Sequence, residues 1–170
     1  MNNKEMEARI VAAYERHKTV NIGARPGVKN RLGVQCNELT PLLAPLTSNN
    51  GEQLTPDTLA RYSIVLMRYM NTLDTNGRRV DLNKKNIDWY IDGLISEGKK
   101  GLIAKSFLRH QIFTFRALLK HLGREEEARS LRRLETALQM MTAARKKEIL
   151  ARRKEREREG SFKKGRRSVT

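Results

Sequence analysis

The sequence predicts an all-α protein: a compact bundle of four to five helices, then a long basic C-terminal helix and a flexible tail. Three observations predict it. Apolar residues recur three and four apart in five separate stretches, the spacing of one helix face. Capping residues and helix-ending glycines bracket several of those stretches. Almost no segment carries the pattern of a strand.

Residues 3 to 18 read as a short amphipathic helix, with Met6, Ile10, Ala13 and Tyr14 on one face. The segment from Thr19 to Leu54 contains three prolines, and Gly23, Pro26, Gly27 and Gly33 break any regular element there. Its middle part, NELTPLLAPL, is apolar enough to be expected on the domain surface. The next helix, 55 to 73, has a clear start: Thr55 caps, Pro56 takes the first helical position and Asp57 sits in the first turn. Leu59, Tyr62, Leu66, Tyr69 or Met70, and Leu73 form its apolar stripe, and Asn76-Gly77 ends it. Another helix starts after Asn83, carries Ile87, Tyr90, Ile91 and Leu94, and is expected to stop at Gly98. The helix from 102 to 122 is the most regular: Leu108, Ile112, Phe115, Leu119 and Leu122 advance by four, three, four and three, and Gly123 follows. The last helix begins near Glu125, where three glutamates face the positive end of the helix dipole. Leu131, Leu134, Leu138 and Met141 continue an apolar seam that ends after Ala144.

The chain of 170 residues holds 35 Lys and Arg against 19 Asp and Glu, a formal charge of +16. Such an excess is an argument about partners, and the common polyanions are nucleic acid and anionic membrane. No run of about 18 apolar residues offers a membrane span, and the N-terminus lacks the apolar stretch of a signal peptide. A cytoplasmic or nucleoid location without membrane association is therefore expected. Cys36 is the single cysteine, which leaves no internal disulfide and no cysteine-based metal site; it reads as a small apolar filler. No cofactor is expected. Aromatic residues make up 5% of the chain, too few for a row of stacking platforms along a single strand.

The distribution of charge divides the chain into residues 1–54 (a helix and the Pro/Gly-containing insertion), a core of 55–144, and a basic arm of 145–170. The arm carries twelve Lys and Arg against four glutamates, a net +8 and half of the whole surplus. Its first part, ILARRKERERE, has strong helix propensity but no face to bury, and GSFKKGRRSVT reads as a flexible tail. Within the core, Lys105, Arg109, Arg116 and Lys120 fall in an arc of about 60° on one helix, beside the apolar stripe. Thr58, Arg61, Val65 and Arg68 lie opposite the Leu59/Tyr62/Leu66 stripe, and Lys99 and Lys100 sit in the loop before Lys105. A charged face on a surface helix is ordinary, but ordinary faces mix signs because oppositely charged neighbours stabilise the helix. Between Lys99 and Lys120 there is no Asp or Glu. A ridge of one sign is what a polyanion requires.

The stretches TPDTLARYSIVLMRYMNTL, NIDWYIDGLISEG and LIAKSFLRHQIFTFRALLKHLG resemble the core-binding domain of tyrosine recombinases and phage-type integrases. The resemblance spans residues 3 to 140 and is densest over 55 to 123. It implies a helical bundle that clasps duplex DNA, with the 55–73 and 102–122 helices facing it. By that resemblance Thr58, Arg61 and Arg68, with Lys105, Arg109 and Arg116, touch phosphates or base edges. Two departures matter. A 36-residue segment, Thr19 to Leu54, separates the first two helices, and its Arg25, Lys29 and Arg31 make it a candidate DNA-contacting loop or partner surface. Only 47 residues follow Gly123 and all four tyrosines precede that point, so the catalytic domain that the resemblance implies is not expected in this sequence. The expectation is a non-catalytic, sequence-specific binder of double-stranded DNA, with Lys120 completing the ridge and Arg152, Arg153, Lys163, Lys164, Arg166 and Arg167 contacting phosphates from the arm. Such a protein serves as a transcriptional regulator, or as an accessory factor in recombination or transfer of a mobile element. Its protein partners are then a second copy on a palindromic site, RNA polymerase, or a recombination or transfer protein. Two other classes compete: an RNA- or ribosome-associated basic protein, for which the arm serves equally well, and a helical interaction protein using the Leu131/Leu134/Leu138/Met141 seam.

Overall fold

Three consecutive helices end in the same way, and that shared ending sets the frame of the bundle. A computed structural model describes residues 1–22, 38–48 and 50–167. Among these the helices are α1 (Asn3–Ile22), α2 (Leu39–Leu43), α3 (Pro56–Thr75), α4 (Lys84–Lys99), α5 (Lys105–His121) and α6 (Glu125–Arg167). Gly77, Gly101 and Gly123 follow α3, α4 and α5 with φ of 69°, 76° and 73°, a left-handed geometry that costs a residue with a Cβ and favours glycine. After each, the next amide reaches back to close a Schellman turn: Arg78 N–H to Leu73 O (2.9 Å), Leu102 N–H to Glu97 O (3.0 Å), Arg124 N–H to Leu119 O (2.9 Å).

This geometry corrects two expected boundaries. Helix α4 runs through Gly98 and stops at Lys99, because Gly101 is the glycine placed to take the left-handed turn. Leu102 belongs to that turn, so α5 starts at Lys105. The start of α3 is as expected: Thr55 is the N-cap, its hydroxyl accepts from Thr58 N–H (3.3 Å), and Pro56 opens the helix.

The chain divides into two units, Met1–Arg132 and Arg133–Thr170. The core of the first unit is aromatic. Tyr69 of α3 meets Tyr90 of α4 edge to face at 5.1 Å and Phe115 of α5 at 4.9 Å, the geometry ring quadrupoles prefer. The phenol groups are satisfied without water: Tyr69 donates to Asp81 O (2.8 Å) and Tyr90 to Gln111 Oε1 (2.7 Å). Met6, Ile10, Ala13 and Tyr14 of α1 are buried, as the periodicity predicts. NELTPLLAPL departs from expectation: it forms α2, and Leu39, Leu43 and Leu46 are completely buried where it packs on α1 and α3. A five-residue helix that contains Pro41 and is followed by Pro45 is too short to show an apolar stripe, which is why its core role is not visible as periodicity. Val65, expected opposite the apolar stripe, is also buried, at the edge of the α3 core face. An isolated antiparallel bridge between Thr47 and Gln53 is the only β pairing among the described residues.

Arg124 knots the first unit together just before α6. It pairs with both carboxylate oxygens of Glu127, reaches Glu7 of α1 (3.2 Å), and donates to Leu82 O (2.7 Å). Hydrogen bonding to Arg124 holds the Glu127 carboxyl below its ordinary value of 4.5. A folded-state pKa that is depressed contributes stability above the unfolded value, and that stability is lost as pH falls through the folded pKa. Glu127→Gln is therefore expected to lower the melting temperature at pH 7, with the difference from the parent protein vanishing towards pH 3. A thermal melt series over that range checks it.

Leu131 is buried and Leu134 half-buried; the side chains of Leu138 and Met141 lie outside the described residues. In the second unit, residues 146–160 of α6 are exposed, as a helix without an apolar face must be. The helix continues past Gly160 to Arg167, where the sequence predicts a flexible tail. No proline interrupts it, and the Lys- and Arg-rich neighbours offset the roughly 1 kcal/mol that each glycine costs.

Candidate nucleic-acid interface

Arg61 and Arg68 are seven residues apart on α3, which places them within about 20° of one another around the helix. Arg61 is exposed and Arg68 half-buried. The Arg68 guanidinium lies 4.8 Å from the centre of the Phe107 ring on α5. Further along, Tyr62 of α3 and Phe113 of α5 line one cavity. Six residues back along α3 thus correspond to six residues forward along α5, so the two helices run antiparallel and side by side.

On α5 the ridge forms as the spacing predicts. Lys105, Arg109 and Lys120 are exposed and Arg116 is half-buried. Arg109 and Arg116 both approach the Phe113 ring, each at 5.7 Å from its centre. Phe113 is four residues after one and three before the other, so a single helix face brings all three together. A guanidinium within about 6 Å of a ring centre is attracted to it, which helps to fix where the charge lies. The α3–α5 face is therefore a cationic surface whose arginines are braced by phenylalanines. The spacing of charge picks out the arginines but not Phe107 and Phe113 as their supports. The signal is present: Phe113 lies outside the 108/112/115/119 stripe and beside two arginines at i−4 and i+3.

The other expected contact residues are distributed as follows. Thr58 is half-buried, and its hydroxyl shares a hydrogen bond with that of Thr55 (2.9 Å), so it serves the helix start. Lys99 and Lys100 are exposed at the end of α4, on the turn leading to Lys105. Arg152 and Arg153 are exposed on α6, in the second unit. Lys163, Lys164, Arg166 and Arg167 also belong to α6, but their side chains lie outside the described residues, as do Arg25, Lys29, Arg31 and Cys36 altogether. No protein-family model, curated protein or solved structure matches the chain.

The pKa values of the four tyrosine phenols are all raised above their ordinary value. Burial, with the Asp74 carboxylate accepting from its hydroxyl (2.9 Å), pushes the Tyr14 phenol well above its ordinary range. Burial does the same to Tyr69 and Tyr90, and raises Tyr62 against the opposing charge of Arg116. Among the described residues no group of three His, Cys, Asp or Glu is placed to hold a metal ion, and none of the helices is long and apolar enough to cross a membrane.

Proposed function

We propose that this chain is a non-catalytic, sequence-reading binder of double-stranded DNA, with the α3–α5 face as its reader and the basic part of α6 as a phosphate-binding arm. The observation that carries the reading is the α5 ridge of Lys105, Arg109, Arg116 and Lys120, which contains no acid and lies beside Arg61 and Arg68 of α3. A rigid helix that presents cations fits the major groove of B-form DNA, about 12 Å wide. The major groove of A-form RNA is deep and narrow and does not admit such a face. Phe107 and Phe113 have guanidinium groups at their rings, which suits them to brace cations rather than to act as a row of open platforms for a single strand. The resemblance to recombinase core-binding domains points to the same two helices. The role that follows is transcriptional control, or accessory action in recombination or transfer of a mobile element, in the cytoplasm.

A nuclease footprint on DNA flanking the protein's own gene tests this directly, and its symmetry reports whether one copy or two occupy the site. At about 0.15 M salt, duplex DNA is expected to outcompete duplex RNA and single strands of equal length; equal competition overturns the reading in favour of an RNA-associated protein. Deleting residues 145–170 is expected to weaken binding to all duplexes alike. The slope of log K against log salt should fall by roughly one for each phosphate that the arm no longer neutralises. A salt titration by fluorescence anisotropy measures it.

A further inference from the structure

The three Schellman turns that end α3, α4 and α5 share a backbone but not a side-chain pattern. In this motif the residue after the glycine commonly makes an apolar contact with the third or fourth residue before the cap. After α3 and α5 that residue is an arginine, Arg78 or Arg124, and it closes onto a leucine, Leu73 or Leu119. After α4 the order is inverted. Leu102 follows Gly101 and closes onto Glu97, with Ser96 before it, so neither position offers an apolar partner. A side chain at Gly98 would meet Leu108 Cδ2 at 3.7 Å and Ile103 Cγ1 at 3.8 Å, so these two cover that backbone. Leu102 is left in solvent at 70% exposure, the highest of any large apolar side chain among the described residues. The turn that carries it is fixed by Lys100 N–H to Ser96 O (3.2 Å), Gly101 N–H to Gly98 O (3.1 Å) and Leu102 N–H to Glu97 O (3.0 Å).

A single exposed leucine is ordinary on a protein surface. The setting of Leu102 is not. Lys100 and Lys105 are exposed on either side of it, and the chain from Lys99 to Lys120 carries no acid. Three residue steps lead from Leu102 to Lys105, a reach of at most about 11 Å. An apolar group thus stands at the head of the cationic ridge, within one major-groove width of its first lysine. Lysines so placed take phosphates and leave the apolar group facing the base edges between the two phosphate rows. On those edges the apolar group is the C5-methyl of thymine. Helices that read the major groove contact base edges with residues near their N-terminal end, and Leu102 lies just before the start of α5. We propose that Leu102 is a specificity-determining residue: it packs against the C5-methyl of one thymine in the duplex held on the α3–α5 face, while Lys100 and Lys105 take flanking phosphates. The assignment rests on the DNA-binding reading above and adds to it a base contact that cations alone do not supply.

Uracil tests it, because it lacks only the methyl group and keeps every hydrogen-bonding group of thymine. The full chain selects a preferred duplex from a pool of random sequences at about 0.15 M salt, and each thymine is then replaced in turn by deoxyuridine. At one position the replacement is expected to weaken binding about fourfold, the effect of one buried methyl group at about 0.8 kcal/mol. Leu102→Ala should weaken binding to the thymine duplex by a similar factor, and deoxyuridine at that position should then cost nothing more. Leu102→Met, which keeps a large apolar side chain, should retain the preference. The salt slope and melting temperature of Leu102→Ala should match those of the parent, because the side chain meets no phosphate and is exposed. A selected duplex in which no methyl matters, or a methyl dependence that persists in folded Leu102→Ala, overturns the thymine contact and leaves the DNA-binding reading standing. So does a salt slope that falls with the substitution. Duplex binding without any preferred sequence overturns the contact together with the sequence-reading part of that function; no binding to any duplex overturns both readings entirely.

Discussion

Replacing Arg109 and Arg116 together by alanine is expected to weaken duplex DNA binding about a hundredfold, with the helical fold retained. A hydrogen bond made by a charged group contributes roughly 1.5–3 kcal/mol. Two such interactions, discounted for the wet setting of a protein–DNA interface, come to about 2.7 kcal/mol, a factor of a hundred. The salt slope should shrink by about 1.8 if both arginines touch phosphate. If one of them reads a base edge, the slope changes less and sequence preference relaxes at one position. Arg109 is exposed and Arg116 half-buried, and surface substitutions typically stay within about 0.5 kcal/mol of the parent stability. Circular dichroism and a thermal melt separate weakened DNA binding from an unfolded variant. The paired lysine substitutions sharpen the test. They keep both charges but lose the guanidinium contact with the Phe113 ring, so an intermediate effect is expected, because that contact is part of what positions the charges. Affinity unchanged in the double alanine variant removes Arg109 and Arg116 from the interface and shifts the candidates to Arg61 and Arg68 of α3, to Lys99 and Lys100, and to the basic part of α6.

Phe115→Ala is expected to have the largest effect on stability, a loss of about 3–5 kcal/mol. Phe115 is completely buried and meets Tyr69 at 4.9 Å and Tyr90 at 5.9 Å, so its removal empties the point where α3, α4 and α5 converge. Net stabilities are about 5–15 kcal/mol, so this loss is a large fraction of the whole. For a unit of this size it lowers the melting temperature by roughly 10–20 °C. Tyr69→Phe is the graded control: it keeps the ring but leaves Asp81 O without its donor, at a cost of about 1–3 kcal/mol. Urea unfolding of the two variants ranks them. The reverse order would place the centre of the core away from Phe115. Because α3 and α5 carry the cationic face on their outer sides, loosening their junction should also weaken DNA binding, though less than removing the arginines does.

Much of the architecture is legible along the chain. Strongly periodic helices announce themselves: α3 with Thr55 and Pro56 at its start, α5 with its four-three-four-three stripe, and α1 with Met6, Ile10, Ala13 and Tyr14. Boundaries set by glycine are harder, since Gly98 and Gly101 offer alternative stops and only backbone closure onto Glu97 selects the second. The Leu39–Leu46 segment reads as surface in the sequence because its burial comes from α1 and α3, which lie far from it in sequence or beyond a long connection. Phe107 and Phe113 belong to neither a core stripe nor a charge ridge, and their pairing with Arg68, Arg109 and Arg116 depends partly on how two helices lie together.

By itself, then, the sequence determined the helical class, the acid-free ridge on α5, the seven-residue spacing of Arg61 and Arg68, and the concentration of charge after Arg145. Each of these is a local property, decided by period, caps and the order of charges within one element. Only the tertiary structure decided that α3 and α5 run side by side, that Arg68 rests on Phe107 across that junction, and that α2 is core. Those features come from packing between residues distant in the chain, where shape complementarity and burial select one arrangement among many that the same helical periodicities allow.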